Sequence, residues 1–342
     1  MDTVEAPPQR QWVPKWLVPA IGYGVSAASL IFVFWKFPWS QLADHLRTLE
    51  WNWVAVAVLL EVAVYFADAW RWQALLKRVG APTFGLCLQA VFVGVLANDV
   101  LPAKAGELVR CFLLSYETEV PLSLAITSDV ILRIMDGLWI VIIYLIITFQ
   151  IATHVDVNRG MWVFGGGAVA IALVLLFVLF RRQHANQFCR TTSWAARFVH
   201  LLDEIHRLGH WQELRNAMAI GGLYWLAQML AILALTRADR FDLGLSAAAF
   251  LLVVKSVLTL IPNAPANMGA YQAAVVYAFG FLLVERANAQ AFSEIMFVFM
   301  TLPAAVGGAI AVLFADIDLL ALHRHAHHAK ARHNLPAAGE AS

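Results

Sequence analysis

Three observations predict an all-α polytopic membrane protein. Of the 342 residues 61% are hydrophobic, with a mean hydropathy of +0.69. Six runs are long and apolar enough to cross a bilayer, and two further apolar regions are each split by a Pro and Gly break. The expected architecture is six spanning helices plus two re-entrant helical hairpins in an inverted repeat. Charged residues make up 14% and the formal net charge is +1, so no overall field favours a nucleic-acid partner; where the Lys and Arg fall along the chain matters instead.

Residues 1–15 carry Arg10 and Lys15 and read as a cytoplasmic tail. The first apolar run, 16–37, is long for a signal-peptide core and lacks a clear small-residue cleavage site, so it is expected to remain as the first span. The other spans are expected at 53–70, 122–149, 161–180, 217–235 and 292–314. The split regions are 84–100 with 105–116, and 245–261 with 268–284. Each 17-residue first arm reaches only about 25 Å at ~1.5 Å per residue, short of a hydrocarbon core of about 30 Å. Both therefore read as hairpins that return to their side of origin.

With a cytoplasmic N-terminus, this topology puts fourteen Lys and Arg inside, Arg71, Lys77 and Arg78 among them, and six outside, in accord with the positive-inside rule. Three spans per half is an odd number, which inverts the second half. The halves are 16–150, containing hairpin 84–116, and 151–315, in which the fourth span (within 151–180) is separated from 217–315 and its hairpin 245–284 by a cytoplasmic segment, 181–216. Leu101-Pro102 before Gly106 and Ile261-Pro262 before Gly269 occupy matching places. Broken helices meeting near the midplane of inverted repeats are a transporter architecture. In the 181–216 segment, Trp194, Phe198, Leu201, Leu202, Ile205 and Leu208 recur at helical spacing. This is either an amphipathic helix on the leaflet or a connector packed on the bundle. A His-rich cytoplasmic tail, 316–342, closes the chain.

The stretch N-D-V-L-P-A-K-A-G-E-L-V-R, residues 98–110, sets polar side chains inside apolar surroundings. Broken backbone at membrane depth is tolerated only where it is buried in protein or lines a wet cavity, which makes the stretch a candidate binding site. Asn98, Asp99, Pro102, Lys104, Gly106, Glu107 and Arg110 are its substrate-binding candidates. A helix restarting at Gly106 would offer free N–H groups beside Lys104 and Arg110, suited to an anionic headgroup; Glu107 joins that site or merely complements the helix start. The second break supplies Asn263, Asn267, Gly269, Tyr271 and Gln272, polar but uncharged.

Asp129, Arg133 and Asp136 follow i, i+4, i+7 and share one helix face. They form either an ion triad that holds the bundle or one that also faces the hairpin tip. Glu61 lies deep in the second span, and Lys255, two turns before the second break, needs an acidic or carbonyl partner, expected among the first-half acids. These five make up the expected buried charge network. Arg71, between Trp70 and Trp72, reads as an interfacial anchor paired with Asp68. Cys87, Cys111 and Cys189 fall in no ligand spacing and read as free thiols. The tail histidines have no fixed ligand geometry, so no metal or other cofactor is expected. No phosphate loop, Ser-His-Asp or zinc-protease pattern occurs, which favours a transporter without an ATPase motif over an enzyme.

Several of these residues resemble the flippase-like family named for the transmembrane region of lysylphosphatidylglycerol synthase, and the likeness covers nearly the whole chain. It rests on Arg71-Trp72 before Lys77-Arg78-Val79-Gly80, on Leu101-Pro102-Ala103-Lys104-Ala105-Gly106-Glu107-Leu108-Val109-Arg110, on Arg133-Ile134-Met135-Asp136, and on Ile261-Pro262 leading to Met268-Gly269. The resemblance implies lipid translocation between leaflets, with the polar hairpins and the R-x-x-D helix lining the path. Two positions depart from the family's usual pattern: Leu132 stands where a Glu is usual, with Asp129 one turn earlier, and Gln272 stands where the second hairpin usually has Glu. The soluble aminoacyl-transferase domain of the full synthases has no counterpart here, so transport rather than synthesis of the lipid is expected.

The expected function is that of an inner-membrane, multi-pass lipid transporter or flippase with both termini cytoplasmic. Its partners would be a membrane lipid with an anionic or aminoacylated headgroup and a coupling proton or sodium ion. A second copy of the chain, or a lipid-biosynthetic enzyme, is a further partner to consider. Two other classes remain open: a membrane-embedded transferase using Asp99 or Glu107 as general base, and a non-catalytic partner subunit of a lipid-modifying enzyme.

Overall fold

The structure, a computed structural model, describes residues 46–100, 105–148, 211–259 and 265–314. The expected spans at 16–37 and 161–180, most of the 181–216 segment and both tails lie outside the described residues. Within them all regular structure is helical: α1 (Trp51–Leu76), α2 (Phe84–Val100), α3 (Gly106–Glu117), α4 (Leu122–Thr148), α5 (Trp211–Ala238), α6 (Leu245–Leu258), a 3₁₀ turn (Pro265–Asn267), α7 (Ala270–Phe281) and α8 (Arg286–Leu313). Four of these helices, α1, α4, α5 and α8, are long and apolar enough to cross a membrane. The 26 residues of α1 extend about 39 Å at ~1.5 Å per residue.

Three boundaries lie six residues beyond the expected ones. α1 runs on to Leu76 because Trp72, Leu75 and Leu76 are buried, and it stops at a turn where Gly80 takes φ +81°. A Cβ there would meet Val120 Cγ2 at 2.5 Å, so the turn needs glycine twice over. α5 begins at Trp211 rather than 217, removing 211–216 from the amphipathic segment. Its first turn is fixed by the ion pair of Glu213 with Arg78, 2.6 Å apart, at the end of α1. α8 starts at Arg286 rather than 292.

A pattern of long, short, short, long occurs twice: 26, 17, 12 and 27 residues in α1–α4, then 28, 14, 12 and 28 in α5–α8. α1 and α5 pack antiparallel. The Glu50 N–H donates to the Ala238 carbonyl at 2.9 Å at one end, and Arg78 meets Glu213 at the other.

Two apolar cores divide the bundle along its length. One gathers the second half of α1, α2, α3, the first half of α4, and Ala304 and Ala311 of α8. The other gathers Val54 and Ala57 of α1, Ile140, Tyr144 and Ile147 of α4, the later part of α5, α6, α7 and the first half of α8. Both arms of the α2–α3 pair thus sit at one end of the bundle, and both arms of α6–α7 at the other. The pairs meet where the 3₁₀ turn lies against α2. Close approach of α8 to α2 depends on Gly307 and Gly308: a Cβ at the first would lie 2.3 Å from Phe92 Cε1, and at the second 2.5 Å from Leu96 Cβ. α8 contains Pro303.

Candidate functional site

The break between α2 and α3 is made by short-range chemistry. Asn98 Oδ1 accepts a hydrogen bond from the Gly106 N–H at 2.8 Å, so the amide of the incoming arm satisfies a free donor at the start of the outgoing one. Gly106 is required by proximity, since a Cβ there would fall 1.9 Å from the Gly94 carbonyl oxygen. From this start α3 presents Glu107 in its first turn and Arg110 one turn on.

Arg110 reaches inward, not outward. It is 3% exposed: one guanidinium nitrogen donates to Asp68 Oδ2 at 3.1 Å and the other to Asp129, while the guanidinium lies 5.1 Å from the Trp72 ring centroid. The headgroup contact expected of Arg110 is therefore not made in this conformation, because buried carboxylates from α1 and α4 already hold its charge. Its Nε has no partner among the described residues.

Arg71 pairs with Asp68 as expected but departs from expectation in its placement. It is 1% exposed, whereas its neighbour Trp70 is 50% exposed, so it is no interfacial anchor and drops out of the cytoplasmic charges counted above. Its Nε donates to Asp68 Oδ1 at 2.7 Å and both terminal nitrogens bond the Asp136 carboxylate, with the Tyr224 ring 4.3 Å beneath. Trp225 Nε1 donates to Asp136 Oδ1 at 3.2 Å, and Trp72 Nε1 donates to Ser128 Oγ at 2.8 Å.

The Asp129, Arg133, Asp136 face is thus shared out between helices rather than closed on itself. Asp129 serves Arg110, Asp136 serves Arg71, and only Arg133 and Asp136 pair within α4, at 3.3 Å. Leu132 is fully buried on α4, in the apolar core. Four helices are joined this way: α1, α3, α4 and α5. Losing one partner of such a pair leaves a buried charge uncompensated, which costs about 3–5 kcal/mol.

Arg133 differs from the other two arginines of the cluster. Its side chain is 41% exposed, its Nε is 3.4 Å from Glu107 Oε1, and Glu107 is itself one-third exposed. This pair forms the open edge of an otherwise buried ionic cluster, at the first helix break.

At the second break, Ala266, Asn267 and Gly269 all take positive φ, 54°, 56° and 79°. Gln272 Oε1 accepts from the Gly269 N–H at 2.8 Å, and its Nε2 donates to Glu294 Oε2 of α8 at 3.3 Å. Tyr271 is buried beside Phe297, and Lys255 Nζ lies 5.8 Å from its ring centroid. The through-space partner of Lys255 is Glu61, an acid of the first half. Asp99 is half-buried at the end of α2. Pro102, Lys104 and Asn263 lie outside the described residues.

Asp68, Tyr224, Trp225 and Glu294 were not among the expected site residues. Asp68 had a signal: Glu61, Tyr65, Asp68 and Trp72 repeat at i, i+4, i+7, i+11 and line one buried face of α1. Cys87 and Cys111 are buried free thiols. Among the described residues no three His, Cys, Asp or Glu side chains converge as metal ligands would.

A polytopic helical protein that keeps three arginines and three aspartates in one cluster beside its first helix break belongs among membrane proteins with a polar interior. More narrowly, the chain belongs to the family described as the lysylphosphatidylglycerol synthase TM region, whose model matches residues 20–308. That is a membrane family with a lipid-related role. No curated protein and no solved structure matches this chain.

Proposed function

We propose that the protein is a bacterial inner-membrane lipid transporter that moves a phospholipid or related lipid between leaflets. α2–α3 and α6–α7 are its re-entrant hairpins, and the complete bundle has six spans in an inverted repeat with both termini cytoplasmic. The packing of the two hairpins at opposite ends of the bundle supports the inversion.

The observation that carries this reading is the contrast among the arginines. Arg71 and Arg110 are locked by buried carboxylates, while Arg133 faces outward and shares its charge with a half-open Glu107. An anionic headgroup arriving at the first break displaces the Glu107 carboxylate and takes up the Arg133 guanidinium, whose planar fork suits a phosphate. Released, Glu107 meets any ammonium on the same headgroup. Such an exchange keeps the cluster's charge balanced while the lipid passes.

The test is movement of fluorescent lipid analogues across proteoliposomes holding the purified chain. The parent protein moves lipid, and Arg133→Ala and Glu107→Gln slow it about tenfold, the loss of roughly 1.4 kcal/mol of headgroup interaction. A parent chain that moves none of a broad lipid panel, under an imposed proton or sodium gradient, would sink the reading.

A further inference from the structure

A second polar group, centred on Glu61, lies apart from the ion pairs of the cluster. Glu61 lies on α1 two turns before Asp68, and it is 5% exposed. The Tyr65 hydroxyl lies 3.3 Å from Glu61 Oε1 and 3.5 Å from the Met300 carbonyl of α8, and donates toward them. Glu61 Oε2 has no partner among the described residues, and neither does the hydroxyl of Tyr271, a residue 7% exposed on α7. Lys255 of α6 attracts Glu61 through space without a direct ion pair, and Tyr271 interacts electrostatically with Glu61. Asp99 of α2 and Tyr224 of α5 interact with Tyr65.

Orphaned polar atoms at this depth are expensive, and two of them at one place need a reason. The group's charge supplies it. Glu61 makes no direct ion pair, and its Oε2 has no hydrogen-bond partner among the described residues, so its buried negative charge is compensated at contact only by a positive charge taken up at that oxygen. The Lys255 ammonium repels a metal ion, and a carboxylate buried this completely has no room for a lipid ammonium. A proton needs neither a ligand shell nor space.

We propose that Glu61 is the proton-binding residue of the transport cycle, loaded and unloaded at its buried Oε2 beside Tyr65. The inference rests on the transport reading above and names its coupling ion. A proton from the aqueous phase bonds to Glu61 Oε2 and later leaves from the same oxygen; no other bond changes. Loading removes the attraction between Glu61 on α1 and Lys255 on the α6–α7 hairpin, so the hairpin is released when the proton is on and drawn back when it is off.

Infrared difference spectra of the purified full chain in detergent, recorded as the pH is lowered, read the site without requiring transport. The parent gains a carboxylic-acid carbonyl band that Glu61→Gln lacks and Lys255→Met shifts. Identical bands in the parent and in Glu61→Gln overturn the proposal. Should Glu61→Gln not fold, the paired variant Glu61→Gln with Lys255→Met removes both charges and carries the comparison. In proteoliposomes, a one-unit pH step biases the direction of lipid movement about tenfold for one proton per lipid, and the bias is absent from Glu61→Gln. Lipid movement with no pH bias and no Glu61 band sinks the proton site alone. A titrating Glu61 in a chain that moves no lipid keeps the proton site and sinks the transport reading.

Discussion

The two short-helix pairs share a plan and differ in what holds them. α2–α3 is fastened by charge: Arg110 runs to Asp68 on α1 and Asp129 on α4, and Glu107 to Arg133. α6–α7 is fastened by rings: Phe279 stacks edge-on to Phe292 at 5.1 Å and tilted against Phe241 at 5.3 Å, Phe250 meets Phe281 at 6.0 Å and Tyr271 meets Phe297 at 5.5 Å. Aromatic packing is satisfied over a range of small displacements, whereas a buried guanidinium must stay within hydrogen-bond reach of its carboxylates. The first pair is therefore a fixed anchor. The second has three positive-φ residues at its tip and, on α6, a lysine without a direct ion pair, so no charge fixes its position.

The sharpest way to break this contrast is Arg110→Ala. It strands Asp129 in a buried site, leaves Asp68 with Arg71 alone, and lowers stability by about 3–5 kcal/mol, measured by thermal unfolding in detergent. A loss no larger than that of a surface substitution would show that charge does not anchor α3. Gly106→Ala comes next: the 1.9 Å approach to the Gly94 carbonyl forces the arms apart and costs about 1–3 kcal/mol in the same assay. Asn267→Gly acts with the opposite sign. Relief of the left-handed backbone at φ 56° stabilises the tip by up to about 1 kcal/mol, offset in part by the greater freedom of glycine in the unfolded chain. Smallest of all is Arg237→Ala, whose partner Asp242 is wholly exposed; the unfolding temperature stays where it is.

Much of the framework was legible in the sequence because a membrane makes length and hydropathy decisive. The first arm at 84–100 matches α2, and the second-half arms sit within three residues of those expected. Less could be read about which charges are spare. Arg71 between two tryptophans has the local look of a membrane-surface residue, and only the positions of Asp136 and Tyr224, distant in sequence, decide that it is buried. Arg110 misled for the same reason, since a helix start beside a basic residue looks like an anion site until carboxylates from two other helices arrive. Glu294 shows the limit most clearly: no spacing in the sequence announces that the final span sets a carboxylate against Gln272.

Pro303 has a mechanical consequence. Having no N–H, it leaves α8 without one rung of its hydrogen-bond ladder. The residues before it, Phe292 to Met300, belong to the core around α6 and α7, and Gly307 and Gly308 beyond it rest on α2. α1 also joins both cores, but with an unbroken interior. The bundle is thus braced by one stiff strut and one jointed strut. The missing rung lies one turn from the Met300 carbonyl that the Tyr65 hydroxyl reaches.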